Sequence, residues 1–205
     1  MARYVLGLAL SALAVALPAR AGEFNKVLSV GDAAPAWVDL EGTDGKRHSL
    51  ADLKDKDTVV IVFTCNSCPV AAGYEDRIVA FANNHAGADS KVALVAINVN
   101  TVKDDQLPEM KKRAAKKKFS FPYLYDPTQE IARKYGANYT PEFFVLNKER
   151  KIAYLGAMDD KSPPMPATKN LLESAVTAAL GDKPAAPAET LARGCRIRFN
   201  AKKDD

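Results

Sequence analysis

Two cysteines separated by two residues follow an apolar run, and this spacing is typical of a dithiol that forms and opens a disulfide. The run Val59–Phe63 predicts a buried strand, and Cys65 and Cys68 come just after it. A disulfide requires Cα atoms within about 4.4–6.8 Å, and the first turn of a helix provides this for residues three apart. Pro69 suits such a turn, because a proline there sacrifices no internal hydrogen bond. We therefore predict that Cys65 and Cys68 are catalytic redox residues.

The helix that should follow the cysteines predicts different roles for the two thiols. At its N-terminus, unpaired backbone N–H groups and the positive end of the helix dipole would stabilise a Cys65 thiolate. The thiolate is the attacking species in thiol–disulfide exchange, so Cys65 would be the nucleophile and Cys68 the resolving thiol. Tyr74, Ile78 and Phe81 recur at helical spacing and should face the sheet.

A zinc half-site and a static disulfide are the alternatives to a catalytic dithiol. The chain has 3 Cys and 2 His, and neither His48 nor His85 belongs to a ligand-like pair. Disulfides that stabilise a fold usually close longer loops than this one. We therefore expect no metal ligands, and no cofactor beyond a redox-active Cys65–Cys68 disulfide.

The N-terminal residues predict export. Arg3 precedes an apolar run over residues 4–17, and Ala19 and Ala21 form an Ala-x-Ala cleavage signal, so residues 1–21 are typical of a signal peptide cleaved after Ala21. The run is short for a membrane span, and we expect none after cleavage, although a retained anchor is an open alternative. We predict a periplasmic or secreted protein, in a compartment where disulfides persist.

The charge of the chain does not indicate nucleic-acid binding. The formal net charge is +4, and it falls to +2 when Arg3 and Arg20 leave with the signal peptide. The dense basic stretch over residues 111–118 follows Leu107 and Met110 at helical spacing, which predicts a solvated helix face. An acidic partner or a membrane surface is the alternative for this stretch.

The order of apolar runs and turn signals predicts an α/β fold of one domain. We expect a linker over residues 22–29, a domain over 30–182 and a tail over 183–205. The predicted elements are a hairpin around residues 42–45, strands Thr58–Phe63 and Val92–Asn98, a helix capped by Asp126 with Pro127 first and Gly136 closing it, a hairpin of Glu142–Leu146 and Lys151–Leu155, and a helix Thr168–Leu180.

The strand, the Cys65-x-x-Cys68 motif, the helix and the later Thr140-Pro141 together resemble the thioredoxin-like superfamily. The resemblance implies a thioredoxin-like fold, with a central mixed sheet flanked by helices and an N-terminal β-hairpin extension. It also implies that Pro141 is a cis-proline opposite the dithiol. Thr140 and Pro141 would then help to bind the extended chain of a substrate.

A narrower resemblance spans about residues 30 to 199. The segments 63–71, 74–77, 158–160 and 194–197 are similar to the redoxin proteins grouped with alkyl hydroperoxide reductases and thiol-specific antioxidants. Peroxiredoxins place a proline and a threonine before one peroxidatic cysteine, with the threonine three positions upstream. Here Thr64 directly precedes Cys65, so the residues favour dithiol exchange over peroxide reduction.

Three further residues are candidates for accessory roles. Thioredoxin has a tryptophan before its first cysteine and a buried acid in the preceding strand, where this chain has Thr64 and an uninterrupted apolar strand. Proton transfer would need another group, and Glu75 is a candidate, although we expect it to be exposed. Cys195 leaves an odd number of thiols, so it is a structural thiol, an interchain partner or a third redox thiol.

The sequence therefore predicts an exported thiol–disulfide oxidoreductase. Its substrate would be a disulfide-containing protein or a small thiol, with an electron donor or acceptor that the sequence does not identify, and the direction of exchange depends on the reduction potential. The alternatives are a thiol-dependent antioxidant peroxidase and a thioredoxin-like module that binds Cu(I) through its thiols.

Overall fold

A computed structural model describes residues 22–201, in which strands and helices alternate. The elements in chain order are β1 (Leu40–Gly42), β2 (Arg47–His48), β3 (Thr58–Phe63), α1 (Pro69–His85), β4 (Val92–Asn98), α2 (Leu107–Lys117), β5 (Tyr123–Tyr125), α3 (Glu130–Tyr135), β6 (Tyr139–Thr140), β7 (Glu142–Leu146), β8 (Ile152–Gly156), α4 (Leu171–Leu180) and β9 (Cys195–Arg196). Short 3-10 turns cover Leu50–Leu53 and Lys103–Asp105. The predicted signal peptide and its cleavage site lie outside the described residues.

Seven of the strands form one mixed sheet in the order β2-β1-β5-β4-β3-β7-β8. The pairs β3–β4 and β4–β5 are parallel, whereas β3–β7 and β7–β8 are antiparallel. This arrangement confirms the predicted α/β mixed sheet and its closing hairpin. The N-terminal hairpin is confirmed as well, and it continues the sheet because β1 pairs with β5.

Both faces of the central strands are covered, which explains why β3 and β4 are almost uninterrupted apolar runs. One face packs against the three residues that recur at helical spacing in α1, Tyr74, Ile78 and Phe81, as predicted. Helix α4 lies on the same face through Leu172 and Val176. The opposite face packs against a second apolar cluster that includes Trp37, Ile131, Tyr135 and Phe144.

Helix α3 begins three residues later than the sequence predicted. It starts at Glu130, and Gln129 precedes it with a φ of +64°. The Asp126 carboxylate accepts hydrogen bonds from the backbone N–H groups of Thr128 and Ile131, each at 3.0 Å, so it caps a turn ahead of the helix as well as the helix itself. Gly136 closes the helix in the left-handed conformation, as predicted.

The segments before and after the predicted domain are both attached to it. In the predicted linker, the buried side chain of Asn25 donates to the Tyr135 carbonyl oxygen at 2.8 Å. The tail returns across the molecule, and β9 pairs with β6 as a separate two-stranded sheet. Residues near both ends of the described chain therefore contact the sheet or its loops.

Candidate active site

Cys65 and Cys68 lie at the junction between β3 and α1, where the main sheet meets the first long helix. The two sulfur atoms are not joined by a disulfide in the structure, and each residue is only 3% exposed. The helix begins at Pro69 and Cys68 is its N-cap residue, so the prediction that the helix begins at Cys65, with Cys68 inside its first turn, is wrong. The dithiol is therefore a buried pair, with Cys68 rather than Cys65 directly at the helix end.

The backbone N–H groups around the dithiol support Cys68, which differs from the sequence prediction. The N–H of Ala71 in the first turn of α1 donates to Cys68 Sγ at 3.3 Å. The N–H groups of Asn66 and Ser67, which are the nearest to Cys65 in the chain, instead donate to Asp105 Oδ1 at 2.6 and 3.0 Å. The prediction that the helix N-terminus stabilises a Cys65 thiolate is therefore wrong, because a carboxylate has taken those donors.

Asp105 binds the loop between the two cysteines from the other side. It follows β4 in a 3-10 turn and is fully buried. Its second carboxylate oxygen accepts a hydrogen bond from the Ser67 hydroxyl, and its backbone oxygen accepts one from Asn98 Nδ2 at 3.1 Å. The Asp105 carboxylate therefore lies beside the dithiol, where its charge acts on Cys65.

The surroundings of the two sulfur atoms separate the pKa values of the two thiols. A hydrogen bond between the sulfur atoms raises the pKa of Cys65 and lowers the pKa of Cys68, as expected where Cys65 donates. Burial raises the pKa of both thiols. The Asp105 charge raises that of Cys65 further, while the Thr140 hydroxyl opposes the shift. The Cys195 thiol and the Ala71 N–H, in contrast, lower the pKa of Cys68. These contacts favour a thiolate on Cys68.

Thr140 and Pro141 lie against the dithiol, where the resemblance placed them. The Thr140–Pro141 peptide bond is cis, which confirms the predicted isomer. Thr140 Oγ1 is 3.4 Å from Cys65 Sγ, and the neutral Cys68 thiol donates to the Thr140 carbonyl oxygen at 3.2 Å. Thr140 therefore contacts both sulfur atoms and covers them.

The tail lies on the other side of Thr140 and brings the third cysteine to the site. Strand β9 pairs antiparallel with β6, and Cys195 is opposite Thr140. The partly exposed Cys195 packs against the cluster formed by Cys65, Cys68 and Ala71. All three thiols of the chain therefore meet at one place.

Glu75 is buried, so the expectation that its side chain is exposed is wrong. Its residue is 5% exposed, and Oε1 accepts a hydrogen bond from Arg113 Nε at 2.6 Å. Lys117 Nζ lies 3.5 Å from Oε2. Two positive charges from α2 offset the cost of burying this carboxylate. Arg113 and Lys117 turn towards α1, whereas Lys111, Lys112, Lys116 and Lys118 are exposed, as predicted for a solvated helix face.

Thr64 and Glu75 line one small internal cavity together with Cys65 and Tyr123. Thr64 is largely buried, and its backbone N–H donates to the Ile97 carbonyl oxygen at 3.0 Å, so it continues the pairing of β3 with β4. The structure therefore places both predicted accessory residues beside Cys65.

Glu142 is a buried acid that the sequence did not predict as a site residue. It lies next to Thr140 and Pro141, which cover the dithiol. It follows Pro141, and Oε2 accepts the backbone N–H groups of Asn138 and Tyr139 at 2.8 and 2.9 Å. Burial raises its pKa to about 7, although these two N–H groups oppose the shift. The carboxylate thus fixes the turn that leads into β6.

Asp105 was also missed, and a signal for it exists in the sequence. It follows β4, and the carboxyl ends of neighbouring parallel strands meet at the same edge of a sheet. The predicted pairing of two buried strands therefore indicates that polar residues after Val92–Asn98 lie near Cys65. Glu142 has a weaker signal, which is a charged residue that opens an otherwise apolar strand.

Within residues 22–201, no cluster of three or more His, Cys, Asp or Glu side chains is arranged to hold a metal ion. Across the same range, no helix combines the length and apolar character needed to cross a membrane.

Comparisons with known proteins agree with this geometry. The family described as Redoxin matches residues 29–172. Thiol-disulfide oxidoreductase ResA from Bacillus subtilis (strain 168) is 30% identical over 128 residues, which are 61% of this chain and 65% of ResA. The match thus spans less than two thirds of that relative's length.

Solved structures agree on the fold. An uncharacterized conserved protein from Geobacillus kaustophilus is 32% identical with a TM-score of 0.80, and the match covers 87% of this chain and 96% of that one. The thioredoxin domain of a thiol-disulfide oxidoreductase from Bacteroides vulgatus has a TM-score of 0.51 at 21% identity, covering 61% of this chain and 86% of that one. The predicted thioredoxin-like fold is confirmed.

Replacing Asp105 by Asn should lower the pKa of Cys65, because it removes a negative charge that opposes the Cys65 thiolate. We expect a decrease of about 1 pH unit, the usual size for a neighbouring charge. The measurement is the ultraviolet absorbance of the thiolate against pH in a Cys68→Ser, Cys195→Ser background, where Cys65 is the only thiol.

The matched control is Asp104→Asn, which removes the same charge from an exposed neighbouring residue. It should shift the Cys65 titration far less. Equal shifts in the two variants would contradict a specific effect of the buried Asp105 carboxylate.

Replacing Glu142 by Gln should stabilise the protein increasingly as the pH rises from about 5 to 8. The pKa of Glu142 is raised in the folded state, so the folded protein holds a proton there that the unfolded chain has lost, and stability falls as pH rises through this window. The difference between variant and wild type should grow by up to about 3 kcal/mol, measured by denaturant unfolding.

An exposed acid provides the control for this experiment. Glu130→Gln removes a carboxylate whose side chain is 65% exposed and reports the effect of losing one surface charge. If the pH profiles of wild type and Glu142→Gln run parallel, Glu142 does not ionise at a raised pKa in the folded protein.

Proposed function

The chain belongs to the redoxin family, and from this premise we propose that it is a thiol–disulfide oxidoreductase with Cys65 and Cys68 as its redox pair. The observation that carries the proposal is the mutual contact of the two thiols at the start of α1, under the cis Thr140–Pro141 bond. A dithiol with one stabilised thiolate and a second thiol beside it is arranged for exchange. The cofactor of the reaction is then the Cys65–Cys68 disulfide itself.

The proposed cycle begins at Cys68, because its surroundings favour the thiolate. The Cys68 thiolate attacks one sulfur of an incoming disulfide, and the other sulfur leaves as a thiolate that takes up a proton. Cys65 then loses its proton and attacks Cys68 Sγ, which releases the second substrate thiol and forms the Cys65–Cys68 disulfide. The substrate gains two electrons and the dithiol loses two, and the reverse sequence oxidises a substrate dithiol.

The substrates that fit this cycle are a disulfide-containing protein or a small thiol compound. Thr140 and Pro141 are the residues that would position such a substrate, because they cover both sulfur atoms. Glu75 and Thr64 would act on Cys65 through the cavity that they share with it. A separate electron donor or acceptor would restore the starting state of the dithiol.

A thiol-dependent peroxidase is the second candidate, because the same contacts that favour a Cys68 thiolate suit attack on a peroxide. The thiolate would take one peroxide oxygen to form a sulfenic acid, with water or an alcohol leaving. Cys65 would then condense with the sulfenic acid to give the Cys65–Cys68 disulfide and water. This activity would make the protein an antioxidant.

The compartment proposed for this chemistry lies outside the cytosol. Residues 1–21 have the charged start, apolar run and Ala-x-Ala ending of a signal peptide, which supports export to the periplasm or the medium. A dithiol protein in such a compartment would act on disulfides that persist there.

Replacing either Cys65 or Cys68 by Ser should abolish disulfide exchange, because each thiol is needed for one of the two displacement steps. We expect insulin reduction, driven by a thiol donor, to fall on the order of a hundredfold or more in either variant. Circular dichroism on each variant checks that the fold is kept. Wild-type rates in both variants would rule out the dithiol as the reaction centre.

The same preparations separate the three classes of function. Peroxide consumption without insulin reduction would favour the peroxidase, and copper bound at one ion per chain without turnover would favour a metal-binding module. A Cys65–Cys68 reduction potential near about −270 mV would indicate a reductant, and one near about −120 mV an oxidant.

Expression of the full chain in a bacterial host should yield a mature protein that begins at Gly22. Intact mass and cell fractionation measure this, with a chain lacking residues 1–21 as the cytosolic control. A membrane-bound product that keeps Met1 would show that the segment is a retained anchor, and a cytosolic full-length product would refute export.

A further inference from the structure

The redox pair is almost sealed from solvent, whereas the third thiol is not. Cys65 and Cys68 are each 3% exposed, while Cys195 is partly exposed and interacts with the Cys68 thiol. The three thiols therefore follow one another in the order Cys195, Cys68, Cys65, from the surface inwards. An external disulfide meets Cys195 before it can reach the pair.

The tail is fixed at this position by contacts on both sides of Cys195. Gly194 packs directly on the Thr140–Pro141 peptide, because a Cβ atom built there would lie 2.0 Å from the Thr140 carbonyl oxygen. On the other side, the buried Ile197 donates its backbone N–H to the Asn138 carbonyl oxygen at 2.9 Å. The tight packing of Gly194 on the Thr140–Pro141 peptide and the burial of Ile197 show that the tail packs specifically against the domain.

Further hydrogen bonds hold the tail beyond Ile197. The side chain of Gln129 donates from Nε2 to the Arg198 carbonyl oxygen and accepts the Asn200 N–H, at 2.8 and 2.7 Å. Asn100 Oδ1 accepts the Arg198 N–H at 3.1 Å. These contacts keep Cys195 near Cys68 without any bond between the two sulfur atoms.

The position of β9 is the one that an incoming extended chain would take. A short strand with a free edge beside a reactive group can bind such a chain by strand pairing, and β6 carries Thr140 at this edge. In this protein β9 pairs along β6, with Cys195 opposite Thr140. The tail thus presents its own cysteine where a substrate cysteine would be presented.

We propose that Cys195 is a third redox thiol, which exchanges with external disulfides and passes the disulfide to Cys68. The proposal rests on the thiol–disulfide exchange proposed above. It identifies Cys195 as the thiol that connects external disulfides with the buried Cys65–Cys68 pair. It names a further catalytic residue of the same reaction, because Cys195 contacts a reacting sulfur atom.

The relay conserves atoms and electrons at each displacement. Cys195 loses its proton to solvent and its sulfur attacks an external disulfide, forming a mixed disulfide, and the first substrate thiolate leaves and takes up a proton. The Cys68 thiolate attacks Cys195 Sγ, which releases the second substrate thiol and forms a Cys68–Cys195 disulfide. Cys65 then attacks Cys68 Sγ, so that the Cys65–Cys68 disulfide forms and the Cys195 thiol is restored. Overall, one substrate disulfide is reduced and one disulfide forms in the protein.

The first test traps the Cys68–Cys195 intermediate. In Cys65→Ser, oxidation with glutathione disulfide should yield a Cys68–Cys195 bond, identified by mass analysis of the linked peptides. The matched control is Cys68→Ser, in which the same treatment should leave a glutathione adduct on Cys195. A Cys65→Ser protein that carries only glutathione adducts would overturn the proposal.

The second test asks whether the tail transfers the disulfide or merely covers the pair. If Cys195 is a relay, Cys195→Ser should slow the oxidation of the Cys65–Cys68 pair by glutathione disulfide about tenfold or more. Gly194→Ala, which displaces the tail from Thr140, should slow it as well. The control Gly87→Ala makes the same change at an exposed glycine with no atom within 4 Å of the added Cβ.

The outcomes distinguish the relay from the proposed function. An unchanged rate in Cys195→Ser, together with a faster rate in Gly194→Ala, would show a cover and overturn the relay while leaving exchange at Cys65 and Cys68 intact. A wild-type protein that reduces no disulfide would refute the proposed function. If that happens and the Cys68–Cys195 bond nevertheless forms in Cys65→Ser, the transfer between these two thiols is supported although the proposed function fails.

Discussion

The register of β3 against its two neighbours determines where every component of the site lies. Phe63, the last residue of β3, is opposite Ile97 of β4 on one side and Glu142 of β7 on the other. The chain that leaves β3 therefore reaches Cys65 between the segment after β4 and the segment before β7. A slip of one residue would exchange the β3 side chains between the two apolar clusters, so the specific packing of Val60 and Val62 on one face and of Val59, Ile61 and Phe63 on the other fixes this register.

Buried acids surround the dithiol, and each is stabilised differently. Asp105 accepts the donors of the loop between the cysteines, and Glu75 is paired with cations from α2. Glu142 accepts the backbone N–H groups of Asn138 and Tyr139, and burial raises its pKa. A carboxylate that is taken out of water needs either a counter-charge or several hydrogen-bond donors.

The sequence predicts the fold well because its strongest signals are the ones that determine the sheet. The bounds of β3, β4 and β7 were predicted to the residue, since each is a long apolar run with clear ends. The start of α3 was predicted three residues early, because Asp126 and Pro127 are equally suited to a turn. These local signals do not show whether Asp126 and Pro127 begin the helix or form a turn before it, because the surrounding structure decides between the two.

The site is only partly predictable for a related reason. The spacing of Cys65 and Cys68 predicts the candidate redox pair, but the charges around the two thiols come from segments that are distant in sequence. Asp105 and Glu75 owe their burial to partners 38 residues away, at Ser67 and Arg113, respectively. Helical spacing places Glu75 on a face of α1, but it does not show that Arg113 and Lys117 meet it there.

The pairing of β9 with β6 has a consequence for the choice of external partners. The tail is joined to the domain through residues 181–194, so it competes for β6 at an effective concentration on the order of millimolar. An extended chain from another molecule binds β6 only if it outcompetes a strand that never diffuses away. This competition would disfavour weak, generic association of unfolded segments with β6, and a proposed external partner would need to be a small disulfide or a chain with a further docking contact.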